Sequence, residues 1–159
     1  TRCYIYGANG KQLLNVPILN ANSKQKTKDV LLDNSTNWQQ QHLKSMASAY
    51  KSSPFYEFYV DDLMALYSKK HKYLLDLNLD TQQFIFENLP IEIITNKATE
   101  FHIEHSKEMD FRFLADAKSK KDYNLPEYTQ VFSDKHGFIP NLSVLDLLFM
   151  EGPNAISFL

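Results

Sequence analysis

His42, His136 and Asp146 are the side chains of this sequence best suited to moving protons. Imidazole titrates close to neutral pH, so either histidine could serve as a general base. A carboxylate in apolar surroundings could orient that base or carry a perturbed pKa of its own. The chemistry open to these three candidate catalytic residues is therefore general acid–base catalysis.

His42 belongs to a stripe in which Trp38, His42, Met46 and Tyr50 recur every four residues, as on one face of a helix. Such an aromatic stripe is ordinarily core, and a histidine within it is more often a hydrogen-bonded core residue than a base. The pattern favours the core interpretation and leaves the catalytic one open. Trp38 and Tyr50 are candidate binding residues on this stripe.

Asp146 is surrounded by apolar residues in the predicted helix over residues 143–150. A helix that is apolar on every side is buried, and a buried carboxylate costs several kcal/mol unless it is paired or hydrogen-bonded. A structural hydrogen bond and a functional carboxylate are equally compatible with this pattern. The candidate partners of Asp146 are Arg2, Arg112 and His136.

His136 stands before Gly137, and the sequence Lys135-His-Gly predicts a turn in which the glycine has a positive φ. His136 would then lie where loops meet helices, a common place for functional sites. Asn141 follows closely as a possible cap of the last helix, and it is the third candidate binding residue.

The remaining reactive side chains predict no metal site, and the sequence identifies no cofactor. His102 and His105 fall on opposite faces of a predicted strand and could not easily share one ion, although a helix would bring them together. Cys3 is the single cysteine, which excludes an internal disulfide, and no base neighbours it in sequence. Gly-rich phosphate loops, Walker patterns and Gly-x-Ser-x-Gly elbows are absent.

The composition predicts one globular domain, since 43 % of the 159 residues are apolar. The net charge of -2 lacks the basic field that nucleic-acid binding needs. No apolar run approaches the roughly 18 residues of a membrane span. We therefore expect neither a nucleic-acid partner nor a membrane span, and the single cysteine suits a reducing cytoplasm.

The order of elements predicts a mixed α and β fold, either α+β or α/β, with an N-terminal hairpin and a helix-rich remainder. Asn9-Gly10 predicts the hairpin, and Pro17 limits its second strand. Strands are predicted over residues 2–6, 13–19, 29–32, 91–95 and 100–105. Helices are predicted over residues 37–51, 53–70 (with Ser53 as N-cap and Pro54 at the first position), 80–89 and 143–150, with a helical turn or two within 128–134.

Several segments, taken in order along the chain, resemble the WbqC-like protein family. The similarity combines Arg2-Cys3, Gly7-Ala-Asn-Gly10, Asn37-Trp38 with Gln41-His42, Ala49-Tyr50 with Ser53-Pro-Phe-Tyr56, and the segment from His136 to Pro153. Each piece is loose alone, but their order and spacing cover essentially the whole chain. The resemblance implies a single WbqC-like domain over residues 1–159 that lacks an N-terminal portion of about forty residues found in the family.

The resemblance also implies a cytoplasmic bacterial protein of O-antigen or other surface-polysaccharide biosynthesis. Within that role, the leading hypothesis is a glycine or acyl transferase that acts on an amino sugar, with a sugar nucleotide as its small-molecule substrate. His42 or His136 would be its base, and Asp146 would orient that base. The alternative is a non-catalytic binding or scaffold domain in which these residues serve only the core.

Overall fold

The computed structural model describes residues 1–21, 25–96, 98, 100, 110–115 and 125–159 of the chain. Two compact units are present, one of Thr1–Ile91 with Leu125–Leu159 and one of Glu92–Asn124. Among the residues described, no helix has the length and apolar character of a membrane-spanning segment.

The first unit begins with the predicted antiparallel hairpin, which is confirmed. Strand β1 (Arg2–Gly7) pairs with β2 (Gly10–Asn15), and Gly7 lies opposite Gly10 across a two-residue turn. The second strand ends before Pro17, which has no N–H to give to a ladder. The strand expected over residues 29–32 is wrong, because Leu31 and Leu32 form only isolated bridges with Tyr73 and Ile18.

Five α-helices lie in the described part of the chain, so the mixed α and β fold is confirmed. They are α1 (Trp38–Tyr50), α2 (Tyr56–Ser68), α3 (Leu74–Asn88), α4 (Ser133–His136) and α5 (Val144–Glu151). A 3-10 helix over Gly152–Phe158 follows α5 directly. The predictions for α1 and α5 are close to these bounds, and Ser143 caps α5 by accepting a hydrogen bond from the Leu145 N–H.

Two predicted helix starts are wrong. Helix α2 begins at Tyr56 rather than at Pro54, because the Ser53 N–H donates back to the Tyr50 carbonyl and prolongs the turn after α1. The Ser53 side chain caps nothing, and its buried hydroxyl has no hydrogen-bond partner in the described structure. Helix α3 starts at Leu74 instead of Asp80, because Leu74 and Leu77 are buried in the core.

The second unit has little described secondary structure. A 3-10 helix spans Arg112–Ala115, and the Arg112 guanidinium donates to the Asp110 carboxylate with an Nε–Oδ1 distance of 2.8 Å. The strand expected over residues 91–95 is wrong, since none of these residues is in a strand and Ile94 is 89 % exposed. Most of the strand expected over residues 100–105, with both of its histidines, lies outside the described residues.

The core of the first unit consists of two clusters. The larger one joins the inner face of the hairpin to α1, α2 and α5 and includes Tyr6, Met46, Tyr50, Leu63, Leu148 and Phe149. The smaller one gathers Val30, Leu32, Trp38, Leu74 and Leu77. Tyr67 packs against both clusters. The predicted stripe of α1 is thus buried throughout, and His42 lies on it between residues of the two clusters.

The hairpin is held against the C-terminal segment by hydrogen bonds. The Tyr4 carbonyl accepts from the Ser143 N–H at 2.7 Å, and the Tyr6 hydroxyl donates to the Gly137 carbonyl at 2.7 Å. The Ala8 carbonyl in the turn accepts from the Lys135 ammonium at 2.9 Å. Residues far apart in sequence therefore complete one compact body.

Candidate functional site

Asp146 is fully buried on α5, as the apolar sequence around it predicts. Its Oδ1 accepts a hydrogen bond from the Tyr50 hydroxyl at 2.6 Å, and its Oδ2 accepts from the Tyr128 hydroxyl at 2.7 Å and from Gln130 Nε2 at 3.2 Å. These partners are all neutral. The expectation of a basic partner (Arg2, Arg112 or His136) is wrong, because hydroxyl and amide donors supply the hydrogen bonds.

The Asp146 network reaches into the backbone of the hairpin and the C-terminal segment. The Tyr50 hydroxyl accepts from the Tyr6 N–H at 2.8 Å, and Gln130 exchanges two hydrogen bonds with the Ile139 backbone at 2.8 and 3.0 Å. Burial raises the pKa of Asp146, and the hydrogen bonds from Tyr50 and Tyr128 oppose this rise. A carboxylate without exposed surface cannot meet a substrate, so Asp146 and Tyr50 fit a structural role.

His42 is also buried, and both ring nitrogens have partners. Its Nε2 lies 3.1 Å from the Asn15 carbonyl and its Nδ1 lies 3.3 Å from the Tyr67 hydroxyl. A carbonyl can only accept, so we assign the ring proton to Nε2, and Nδ1 then accepts from Tyr67. Burial lowers the pKa of His42, and the hydrogen bond to Asn15 opposes this in part. His42 is therefore a neutral imidazole whose Nδ1 lone pair accepts from the Tyr67 hydroxyl.

The His42–Tyr67 pair lies at the wall of a cavity of about 150 Å³. Trp38 completes an aromatic cluster with them, and its ring centroid lies 5.2 Å from that of His42 and 6.0 Å from that of Tyr67. Cys3 lines the same cavity, but burial raises the pKa of its thiol and makes it a poor nucleophile. Burial also raises the pKa of Tyr67, whose hydroxyl keeps its proton.

The other sequence-predicted site residues lie elsewhere. His136 is exposed at the end of α4, and its Nε2 lies 3.0 Å from the Ala8 carbonyl. Gly137 has the predicted positive φ, 73°. Asn141 is exposed at a mainly apolar cavity of about 210 Å³. The structure thus brings Trp38 together with His42 and Tyr50 together with Asp146, whereas the three proposed catalytic residues occupy three separate environments.

Tyr67 is the site residue that the sequence reasoning missed. It follows Leu63 by four residues, so the helical spacing that identified Tyr59 and Leu63 as buried extends to it. Its contact with His42 depends on the packing of α2 against α1 and has no sequence signal. In the described part of the chain, no group of three or more metal-ligating side chains could hold a metal ion.

Lowering the pH from about 7.5 to about 5.5 should reduce stability through His42. The unfolded imidazole takes up a proton near its ordinary pKa of 6.5, whereas the buried one, with its lowered pKa, stays neutral. The contribution of His42 to the free energy of unfolding is therefore fully present above about pH 6.5, and it is lost as the pH falls toward the pKa of His42 in the folded state. Urea unfolding across this range should show a weaker pH dependence for His42→Gln than for the wild type.

Gln41→Ala is the matched control for this titration, because Gln41 is exposed beside His42 on α1. It should keep the pH dependence of the wild type. Equal pH dependence in His42→Gln and the wild type would contradict the assignment of a neutral, desolvated His42.

Comparison with known families finds one match. The model of the WbqC-like protein family matches residues 1–123 and 119–158, which together cover nearly the whole chain. The resemblance noted from the sequence is thereby confirmed. No curated protein and no solved structure matches the chain at a significant level.

Proposed function

This chain belongs to the WbqC-like protein family, and on that premise we propose that it acts in the cytoplasm in surface-polysaccharide biosynthesis of the O-antigen type. The family name is consistent with an O-antigen-related role. The finer proposal is that the protein transfers a glycyl or other acyl group to the amine of a sugar nucleotide. The observation that carries it is the hydrogen bond between His42 and Tyr67 at the wall of a cavity.

The His42–Tyr67 pair could act as a proton relay in this reaction. The sugar amine would attack the acyl carbonyl, form the new C–N bond and give a proton to the Tyr67 oxygen. Tyr67 would pass its own proton to His42 Nδ1. As the bond between the acyl carbon and the leaving group breaks, Tyr67 would give its proton to the leaving group and take one back from His42 Nδ1. The imidazolium formed in between would keep its hydrogen bond to the Asn15 carbonyl.

Asp146 and His136 have no part in this relay. Asp146 bonds to Tyr50, Tyr128 and Gln130 rather than to a histidine, so it cannot orient the base. His136 is exposed and faces the Ala8 carbonyl. Of the three side chains proposed from the sequence for proton transfer, we retain His42 alone.

A non-catalytic binding domain is the second candidate function. The complete hydrogen bonding of His42 and Asp146 favours it, because both residues then have a sufficient structural reason to be present. Under this alternative, His42 holds β2 against α1 and α2 and takes no part in chemistry.

Acylation of UDP-glucosamine by a glycine thioester, measured by mass spectrometry, tests the proposal. His42→Gln and Tyr67→Phe should each reduce the rate by about 10²–10⁴-fold, because each interrupts the relay. Tyr59→Phe is the matched control, since Tyr59 is a buried tyrosine of the same helix whose hydroxyl makes no hydrogen bond in the described structure. Its rate should equal that of the wild type.

Thermal unfolding of the same variants separates the two candidates. Activity that persists in folded His42→Gln and Tyr67→Phe proteins would remove the relay. A wild-type protein without acylation, whose variants lose only stability, would instead support the non-catalytic domain.

A further inference from the structure

We infer that a second cavity, between the start of α1 and the end of α2, binds the phosphorylated sugar part of the substrate. We call it the amide cavity and define it by Thr36, Asn37, Gln39, Gln40, Tyr67 and Lys70. The inference rests on the proposed function for the choice of an amino sugar as ligand. The size, the hydrogen-bonding groups and the charge of the cavity support it independently of that function.

The amide cavity has the volume that a sugar nucleotide needs. It measures about 600 Å³, within the range of roughly 300–1,000 Å³ typical of ligand sites, whereas the His42 cavity measures about 150 Å³. Tyr67 lines both cavities. A ligand held in the larger one would therefore contact the residue that is bonded to His42.

The amide side chains of this cavity are held in place by one another. Asn37 Nδ2 donates to Gln40 Oε1 at 2.8 Å, and Gln39 Nε2 donates to Asn34 Oδ1 at 3.2 Å. In the described structure these bonds leave Asn37 Oδ1, Gln39 Oε1 and Gln40 Nε2 without a partner. Fixed amides offer both acceptors and donors, which suits hydroxyl groups that can do either.

Apolar surface accompanies these polar groups. Leu43, Met64 and the Tyr67 ring line the same cavity, and Met64 is 52 % exposed. A sugar ring combines hydroxyl groups with C–H faces, and an aromatic or aliphatic surface can pack against those faces. Both the amide groups and the apolar surface of the lining therefore suit a sugar.

The charge of the amide cavity favours an anion. Acidic residues outnumber basic ones in this chain, 19 to 17, yet no carboxylate is among the described lining of this cavity, and Lys70 is its charged residue. Lys70 is exposed and has no carboxylate partner among the residues described. A cavity of about 360 Å³ beside α3 has the opposite charge. The one lysine in its described lining, Lys69, is paired with Asp80, and the carboxylates of Asp62 and Glu87 would repel phosphate.

Calorimetric titration with UDP-glucosamine, UDP and glucosamine tests the inference. UDP-glucosamine should bind, and Asn37→Ala and Gln40→Ala should each weaken it about three- to tenfold, as expected for one lost hydrogen bond. Lys70→Gln should weaken UDP-glucosamine and UDP while leaving glucosamine unchanged. These three positions are exposed, so the variants should fold normally.

Gln83→Ala and Lys51→Gln are the matched controls. Both side chains are exposed, and neither lines the amide cavity. Their affinities should equal that of the wild type. Absence of UDP-glucosamine binding, or affinities within twofold of wild type in Asn37→Ala, Gln40→Ala and Lys70→Gln, would overturn the inference.

The acylation assay keeps this inference distinct from the proposed function. Acylation with an unchanged KM in the amide-cavity variants would refute the sugar phosphate site and leave the relay standing. Binding that the variants weaken, in a protein without acylation activity, would refute the transferase and leave the binding site standing.

Discussion

Replacing Asp146 by alanine should lower the free energy of unfolding by about 3–4 kcal/mol. The carboxylate accepts hydrogen bonds from Tyr50, Tyr128 and Gln130, and its removal deprives these buried or half-buried donors of their acceptor. Each unsatisfied buried group costs about 1–3 kcal/mol, and the cost is smallest for Gln130, whose Nε2 keeps its hydrogen bonds to the Tyr128 hydroxyl and the Ile139 carbonyl. Urea unfolding monitored by circular dichroism measures the loss.

Tyr50→Phe examines the same network from its other end. The Tyr50 hydroxyl donates to Asp146 and accepts from the Tyr6 N–H, so its removal leaves two buried groups unsatisfied and should cost about 2–3 kcal/mol. Tyr59→Phe is again the matched control and should stay within about 0.5 kcal/mol of the wild type. Equal stabilities for Tyr50→Phe and Tyr59→Phe would show that the network contributes nothing to the fold.

Gly152→Ala should lower the free energy of unfolding by about 2–5 kcal/mol, for two separate reasons. Gly152 ends α5 with φ 54° and ψ -126°, which a residue with a Cβ rarely adopts. A Cβ there would also lie 2.5 Å from Phe55 Cδ1, which is shorter than a van der Waals contact and therefore a steric clash. Thermal and urea unfolding should both show the loss.

Gly137→Ala isolates the backbone contribution to this effect. Gly137 also has a positive φ, 73°, but a Cβ there would meet nothing within 4 Å. It should therefore cost about 1–2 kcal/mol, clearly less than Gly152→Ala. The double variant Gly152→Ala with Phe55→Leu should recover part of the difference, and a double variant no better than Gly152→Ala would exclude the Phe55 contact as its cause.

Elements with local signals could be predicted from the sequence. The Asn9-Gly10 pair identified the hairpin, the four-residue spacing from Trp38 to Tyr50 identified α1, and Gly152 marked the end of α5. In each case the residues that determine the structure lie within the element or next to it, so a short window of sequence contains the whole signal.

Elements decided by distant contacts could not be predicted. Helix α3 extends back to Leu74 because this residue joins the small core cluster, and nothing in the local pattern requires that. The strand expected over residues 91–95 has a suitable composition, but it has no partner strand among the residues that the structure describes, and a strand is stable only in a ladder.

The same limit applies to the site. The burial of Asp146 followed from its apolar neighbours, but charge complementarity pointed to basic partners, whereas the fold supplies tyrosine hydroxyls. Tyr50 lies 96 residues away in sequence, so only the tertiary structure could identify it. The pairing of His42 with Tyr67 could not be predicted either, because it depends on the packing of α1 against α2.

The bonds between the hairpin and the C-terminal segment have a consequence for biosynthesis of the protein. The Tyr6 hydroxyl reaches carbonyls 126 and 131 residues further along the chain, and closing such long loops carries an entropic cost before any contact forms. A nascent chain that has made the hairpin must therefore wait for α5 to leave the ribosome before Ile5 and Tyr6 can be buried. Folding of this unit therefore cannot be completed before the segment from Phe132 to Glu151 has been synthesised, and its slow step is expected to be the docking of that segment onto the hairpin.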